Sequence, residues 1–128
     1  TPHQEAILKR CSDTQDHVRV SAVLVLSHLE RALFEMHAGV IAELAADTHW
    51  RVRVGSVHAL GKLEPRLLAR HASAISGLLE DEAAAVRVTA VETLGLMDPK
   101  DLAPQADAIA ERLLDSDWRV RWGSVVTL

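Results

Sequence analysis

Histidines are the residues of this 128-residue chain whose type and spacing first suggest chemistry, because imidazole commonly binds zinc and iron. His3, His37 and His71 recur at intervals of 34 residues, and Gln105 takes the next position of the series. Equivalent residues on neighbouring stacked helices lie roughly 8–10 Å apart, and no carboxylate is in register with these imidazoles. The spacing therefore disfavours a metal site, and we expect no metal and no cofactor.

Motifs of catalysis are missing from the sequence as well. It has no Gly-x-Ser-x-Gly elbow for a serine nucleophile, no Gly-x-Gly-x-x-Gly and no Walker loop. Cys11 is the single cysteine, so the chain cannot form an internal disulfide. We predict a protein that is not an enzyme and has no catalytic residues.

Composition sets the class of protein. The chain carries 14 Lys and Arg against 18 Asp and Glu, and 48% of its residues are hydrophobic but only 3% aromatic. Such an apolar content excludes a disordered tail, and the apolar runs are far shorter than the ~20 residues of a membrane span. We expect one soluble, cytoplasmic domain covering residues 1–128.

An internal repeat organises the whole chain. The pair Val-Arg recurs every 34 residues, and an aspartate precedes each pair by the same interval. The pairs are Val18-Arg19, Val52-Arg53, Val86-Arg87 and Val120-Arg121. Such regularity predicts one supersecondary unit used four times, at about residues 1–30, 31–64, 65–98 and 99–128.

Each unit contains two amphipathic patterns. Apolar or small residues at 18, 22, 26 and 29 follow the spacing of one helical stripe, which we call helix B. The stripe at 34, 38, 41 and 45 defines the preceding helix A. The turns from A to B, which begin at the repeated aspartates, hold short oxygen side chains that can cap helix B. Pro65 and Pro99 mark the break before the next helix A, and Pro104 predicts an extra short turn in the last one.

The order of aspartate, Val-Arg, a small residue with valine, and Leu-Gly resembles the HEAT family. It is clearest in residues 115–121 and 86–95, and the resemblance covers essentially the whole chain. More narrowly, the pattern is similar to the short HEAT-like repeats of phycobilisome lyases. Tetratricopeptide repeats share the 34-residue period, but they need an aromatic-rich first helix. The resemblance implies an all-α, right-handed solenoid of four helix pairs whose B helices line a concave groove.

The aspartate and arginine columns predict a structural ladder, similar to that of HEAT proteins. Each arginine lies beside the core stripe and faces the aspartate of its preceding turn. Guanidinium suits bidentate bonding at a half-buried site, and an active site is not normally copied with its scaffold. The ladder residues are Asp13, Arg19, Asp47, Arg53, Asp81, Arg87, Asp115 and Arg121.

Function is expected where the repeats differ. Trp50 and Trp118 share a column that holds Asp16 and Ala84 in the other copies, so the fold does not require tryptophan there. Tryptophan and arginine are enriched in binding hot spots. The candidate partner-binding residues are Trp50, Arg51, Val54, His58, Trp118, Arg119 and Trp122. Two interpretations stay open: the rings contact a partner, or they cover the core as lids with arginine stacked on them.

The sequence therefore predicts a non-enzymatic scaffold that binds an unidentified protein partner through the groove of the B helices. A bilin lyase-type subunit is the alternative, since Trp50, Val54, His58 and Trp122 would supply an apolar groove with a polar group. A nucleic-acid-binding module, similar to HEAT-like DNA glycosylases, is a further alternative that the net charge of −4 disfavours.

The two ends of the pattern lack polar caps. Leu128 falls inside a predicted helix B, and no following repeat covers Val125, Val126 and Leu128. Solenoids need polar outer faces for solubility. We expect either a fragment of a longer array or a chain that self-associates end to end.

Overall fold

The computed structural model describes residues 2–128, and within that range the regular structure is entirely helical. The all-α prediction is confirmed. Thr1, with which the predicted first repeat begins, lies outside the described residues. The chain divides into two compact units, one ending at Lys62 and the other beginning at Leu63. That residues 1–128 form a single domain stays a prediction.

The first unit holds two helix pairs. Helices α2 and α5 are the predicted B helices, and α5 packs against both α2 and α4. The elements are α1 (Pro2–Arg10), α2 (Asp16–Ser27), α3 (Arg31–Met36), α4 (Ala38–Glu43), a 3₁₀ turn (Leu44–Ala46) and α5 (Trp50–Leu60).

The second unit repeats this plan, with α11 packed against α8. Its first half contains α6 (Pro65–Leu68), a 3₁₀ turn (Ala69–His71), α7 (Ala72–Gly77), a 3₁₀ turn (Leu78–Glu80) and α8 (Ala84–Leu94). Its second half contains α9 (Pro99–Leu102), a 3₁₀ turn (Ala103–Gln105), α10 (Ala106–Glu111), a 3₁₀ turn (Arg112–Leu114) and α11 (Trp118–Thr127). Pro65 and Pro99 occupy the first helical position, where a missing N–H removes no hydrogen bond.

Helix A is broken in the second, third and fourth repeats, not only where Pro104 predicts an extra turn. The break falls in the column of His37, His71 and Gln105. All three residues have φ near −100° and ψ near 0°, away from the values of a regular α-helix, so the regular helix is interrupted at this column. The histidine column therefore marks a recurring bend, and the side chain of His37 contacts that of Gln4.

The predicted stripes form the core. Phe34, Ala38, Ile41 and Ala45 of the second helix A are buried, as are Val52, Ser56, Leu60 and Leu63. The buried hydroxyl of Ser56 donates to the carbonyl oxygen of Ile41 at 2.6 Å and so ties helix B to helix A. In the last repeat the stripe is less covered, because Leu113 is 37% exposed.

The aspartate of each turn between helices A and B shapes that turn rather than capping the helix directly. Its carboxylate accepts the N–H of the residue two positions later at 2.9 Å in all four copies. The residues so bound are Gln15, His49, Ala83 and Asp117, which are the N-caps of the B helices. Of these side chains, those of His49 and Asp117 accept an N–H of the helix.

Candidate protein-binding surfaces

A half-buried arginine joins the two helix pairs of the first unit. The guanidinium of Arg19 donates from Nε and Nη2 to the two carboxylate oxygens of Asp47, both at 2.9 Å. Its Nη1 donates to the backbone oxygen of Asp13 at 2.8 Å. One side chain thus binds both the turn of its own repeat and the carboxylate of the next repeat, and we call this arrangement a joint.

The second unit contains the same joint. Arg87 donates from Nε and Nη2 to the carboxylate of Asp115 at 2.9 and 3.0 Å, and from Nη1 to the backbone oxygen of Asp81 at 2.8 Å. From the sequence we expected each arginine to bind the aspartate of its preceding turn, and for Arg19 and Arg87 this expectation is wrong as far as the carboxylate is concerned. The preceding aspartate offers its backbone oxygen, whereas the carboxylate comes from the following repeat.

The other two ladder arginines share the backbone part of this arrangement. Arg53 donates from Nη1 to the backbone oxygens of Asp47 and Thr48 at 3.0 and 3.1 Å. Arg121 donates from Nη1 to the backbone oxygens of Asp115 and Ser116 at 2.8 and 3.2 Å. All four arginines of the column therefore fasten their own turn in the same way.

The electrostatics of the joints favours charged carboxylates. Burial alone raises the pKa of Asp47 and of Asp115, but hydrogen bonds from Arg19 and Arg87 bring each pKa below its ordinary value. The hydrogen bond to Asp47 raises the pKa of Arg19. Both aspartates are therefore ionised whenever the protein is folded at neutral pH.

Arg112 is a ladder residue that the sequence analysis missed. Its Nη1 donates to the backbone oxygen of Leu79 at 3.2 Å and approaches the carboxylate of Asp115 at 3.5 Å. Its buried Nε has no hydrogen-bond partner within residues 2–128. The sequence does contain a signal for this role of Arg112. Arg10 occupies the same column of the repeat and binds Asp13, three residues later, at 2.8 Å.

The α5 surface consists of His49, Trp50, Arg51, Val54 and His58. Trp50 opens α5 and is 40% exposed. The His49 ring is stacked with the Trp50 ring at 6.1 Å between centroids, and the Arg51 guanidinium lies over the indole, 5.3 Å from its centroid. Val54 is half-buried and His58 is exposed. The indole is therefore held in place by its neighbours while part of it faces solvent.

The α11 surface consists of Trp118, Arg119 and Trp122. The two indoles are one helical turn apart and are 65% and 64% exposed. Arg119 does not stack on them; it donates to the carboxylate of Asp117 at 3.1 and 3.0 Å. These hydrogen bonds lower the pKa of Asp117 to about 2. The surface is thus apolar beside a fixed ion pair.

The structure distinguishes the two interpretations of the tryptophans in part. Trp50 has the stacked arginine expected of a lid, although two fifths of the side chain is open to solvent. Trp118 and Trp122 lack a stacked arginine and are mostly exposed, so they are not lids over the core. That these residues bind a partner stays a prediction.

The second unit contains a polar and an apolar cavity. A polar cavity of about 530 Å³ is lined by Arg87, Arg112 and Asp115 together with Glu80 and Glu111, so it opens onto the ladder joint. A smaller one of about 340 Å³ lies between α9, α10 and the end of α11 and has a mainly apolar lining that includes Met97 and Leu102.

Among residues 2–128, no three His, Cys, Asp or Glu side chains come close enough together to hold a metal ion. In the same range, no helix has the length and apolar character needed to cross a bilayer.

Comparisons with solved structures establish the class of fold. The chain is similar to an engineered protein, with a TM-score of 0.78 and 15% identity over 98% of this chain and 60% of the other. It is also similar to the complex of CpcE and CpcF of phycocyanin lyase from Nostoc sp. PCC7120, with a TM-score of 0.65 and 14% identity over 98% and 76%. The chain thus spans less than two thirds of the engineered protein.

No family model and no curated protein matches the chain. At identities of 14–15% the structural likeness shows the fold alone. The chain is an all-α helical-repeat protein, and the resemblance to HEAT-like repeats is supported at the level of fold.

Proposed function

We propose that this chain is a non-enzymatic interaction module that binds a protein partner through the exposed tryptophans of its B helices. The exposure of Trp118 and Trp122, at 65% and 64%, is the observation that carries the proposal. The part of an indole that stays in water contributes nothing to the hydrophobic free energy of folding. Covering it in a complex removes a large apolar area from solvent.

The polar groups around the rings support a protein as partner. Arg119 and Asp117 form an ion pair beside Trp118, and Arg51 lies over the ring of Trp50. Binding hot spots combine such aromatic anchors with arginine at the edge of a water-excluding patch. The likeness to a complex formed by two proteins also fits a partner of this class.

Affinity capture from a lysate of the source cells tests the proposal. The bait is the parent chain or the triple variant Trp50→Ala, Trp118→Ala and Trp122→Ala. The double variant Met36→Ala and Leu114→Ala is the matched control, since it removes side chains that are 67% and 90% exposed and lie outside the two surfaces. Circular dichroism checks that each bait is helical.

We expect at least one protein to be retained by the parent and the control but lost with the triple variant. Against that partner, replacing Trp118 or Trp122 alone is expected to weaken the affinity about tenfold, because hot-spot truncation costs more than ~1 kcal/mol. Retention of the same proteins by all three baits would show that the tryptophans do not form the binding surface.

A bilin lyase-type subunit is the second candidate, and the likeness to the phycocyanin lyase complex favours it. The α5 surface would then hold the tetrapyrrole chromophore against Trp50 and Val54, with His58 as the polar group. Incubation with a free bilin tests this function. A shifted absorption band that Trp50→Ala abolishes would support it, and an unchanged spectrum would exclude it.

A further inference from the structure

The outward side of α2 and α5 in the first unit is rich in hydrogen-bond donors. The exposed side chains of α5 are those of Trp50, Arg51 and His58. His17 of α2 and His28, which directly follows α2, are exposed as well. Indole, guanidinium and imidazole each offer an N–H, and Lys62 adds an ammonium group just after α5. We call this set the donor face: His17, His28, Trp50, Arg51, His58 and Lys62.

The donor face is continuous across the two helices, because α2 and α5 pack against each other. At one end, Nζ of Lys62 donates to Oγ of Ser27 in α2 at 3.3 Å. At the other end, Nε2 of His49 lies 3.5 Å from the carboxylate of Asp16. The donors of both helices therefore lie side by side on one surface.

Carboxylates do not balance the positive charges of this face. Among the described residues of α2 and α5, no exposed side chain is acidic. Their one aspartate, Asp16, is 34% exposed and lies beside His49. Within residues 2–128 neither Arg51 nor Lys62 forms an ion pair, and the guanidinium of Arg51 lies over the ring of Trp50. Both charges are thus available to a ligand.

The outward position of these residues belongs to the fold and not to one repeat. In the third repeat, Glu92 and Leu96 occupy the columns of His58 and Lys62, and both are exposed. The same columns therefore face solvent in both units. Their residue types change from donors in the first unit to a carboxylate and an apolar side chain in the second.

The distribution of charge favours an anionic ligand of low charge density. Residues 1–62 contain seven Lys and Arg and seven Asp and Glu, so the net charge of −4 lies in residues 63–128. Two permanent positive charges on the donor face are few for a nucleic acid, which presents a phosphate every ~1.7 Å along a duplex. Leu24, 54% exposed, and Trp50 add apolar contacts beside the donors.

We propose that the donor face binds an acidic segment of the partner protein, one that carries aspartate or glutamate beside apolar residues. The carboxylates accept from Arg51, Lys62 and the imidazoles, and the apolar side chains cover Trp50 and Leu24. This inference rests on the proposed function, because it names the chemistry of a partner that contacts the α5 surface.

Selection from a library of random peptides, with the full chain as the immobilised target, tests the proposal. The double variant Arg51→Gln and Lys62→Gln removes both permanent charges, and Arg51→Glu with Lys62→Glu reverses them. Arg66→Gln with Lys100→Gln is the matched control, because both residues are exposed outside the donor face and the net charge changes equally. Circular dichroism checks that every variant folds.

We expect the peptides selected on the parent and on the control to be enriched in aspartate and glutamate relative to the library. Those selected on the charge-reversed variant are expected to be enriched in lysine and arginine. Isothermal titration calorimetry is expected to show that a peptide selected on the parent binds the glutamine double variant about tenfold more weakly, as the loss of two exposed ion pairs implies.

The proposal would be overturned if no peptide were selected, if the selected peptides were not enriched in carboxylates, or if the parent and the glutamine double variant bound them equally. A single-stranded DNA oligonucleotide that bound the parent more tightly than these peptides would also overturn it, since the ligand would then be a nucleic acid.

Failure of this inference is distinguishable from failure of the proposed function. The charge variants keep all three tryptophans, and the tryptophan variants of the capture experiment keep Arg51 and Lys62. Selection of apolar peptides without carboxylates, whose binding Trp50→Ala abolishes, would overturn the acidic segment and support the tryptophan surface. Acidic peptides that bind the triple tryptophan variant as well as the parent would support the donor face and contradict the tryptophan surface at α5.

Discussion

Arg87 shows why the repeated arginine is not interchangeable with lysine. Its side chain is 12% exposed and fills three roles at once, with two donors to Asp115 and one to the backbone oxygen of Asp81. A lysine ammonium is a point charge that cannot span both the carboxylate and the carbonyl in this planar geometry. The hydrogen bonds of the joint therefore require arginine at this position.

Arg87→Lys is expected to lower the free energy of unfolding by about 2 kcal/mol, because it leaves a 2% exposed carboxylate with fewer donors. Urea denaturation followed by circular dichroism measures the loss. Arg66→Lys, at an exposed site outside the joints, is expected to change the stability by less than about 0.5 kcal/mol. An equal effect at both sites would contradict the role of the joint.

Stability is expected to fall in acid in two stages. Burial, helped by the charge of Arg70, lowers the pKa of His71 below 6.5, so the unfolded chain takes up this proton first and stability decreases as pH falls below 6.5. Asp47 and Asp115 have pKa values below 3.8, so their contribution is fully present above 3.8 and is lost as pH falls through the lower folded values.

Urea titrations between pH 7 and pH 3 measure the two stages. His71→Gln, which introduces the residue found in the same column at Gln105, is expected to remove the first stage and leave the second. Asp107→Asn, at an exposed carboxylate, is expected to change neither. If the loss of stability below pH 6.5 persisted in His71→Gln, it would have to arise from the titration of another group.

The sequence predicted the aspartate and arginine columns because both recur with the period of the fold. It did not predict that Arg19 binds the carboxylate of Asp47, since a column shows which residues are equivalent but not which repeat provides the partner. Arg112 was missed for another reason: only Arg10 shares its residue type in that column, so the signal was a single pair.

The B helices were predictable and the broken A helices were not. Helix α8 follows a stripe whose residues Val86, Ala90 and Leu94 are all buried. The break falls at His37 and His71, neither of which is a proline or a glycine, so the residue type at this column did not predict it. Pro104 predicted a break in the last repeat alone, although helix A is broken at the same column in three repeats.

Two helical glycines, one in open space and one at a helix contact, are expected to respond in opposite directions when each is replaced by alanine. A methyl group at Gly39 in α4 would meet no atom within 4 Å, so Gly39→Ala is expected to stabilise the chain by about 0.5–1 kcal/mol. At Gly123 the methyl group would lie 3.1 Å from the fully buried Val91. There the overpacking is expected to outweigh the helix propensity, with a net loss of about 1 kcal/mol.

Thermal unfolding of the two variants beside the parent measures both changes. Gly55→Ala is the matched control for the Gly123 column, because its methyl group would lie 4.0 Å from Val20, an ordinary contact distance. If Gly123→Ala and Gly55→Ala raised the melting temperature equally, the close approach of α8 and α11 would be refuted.

For the whole chain, the fold was predictable because one pattern occurs four times and each copy reinforces the others. The candidate binding residues depend on the positions where copies differ, such as Trp50 and Trp118 against Asp16 and Ala84. A single sequence shows such differences but not what selected them. Exposure of the rings is what the structure adds.

Photo-crosslinking in the source cells tests the central claim most directly. A benzophenone amino acid replaces Trp118 or Trp122 in the α11 surface, or Met36 or Leu114 at exposed control sites. The account expects a crosslinked product that contains a second protein from positions 118 and 122 but not from 36 and 114. The contrary result is a product from the control positions and none from 118 and 122, which would place the binding surface elsewhere on the molecule.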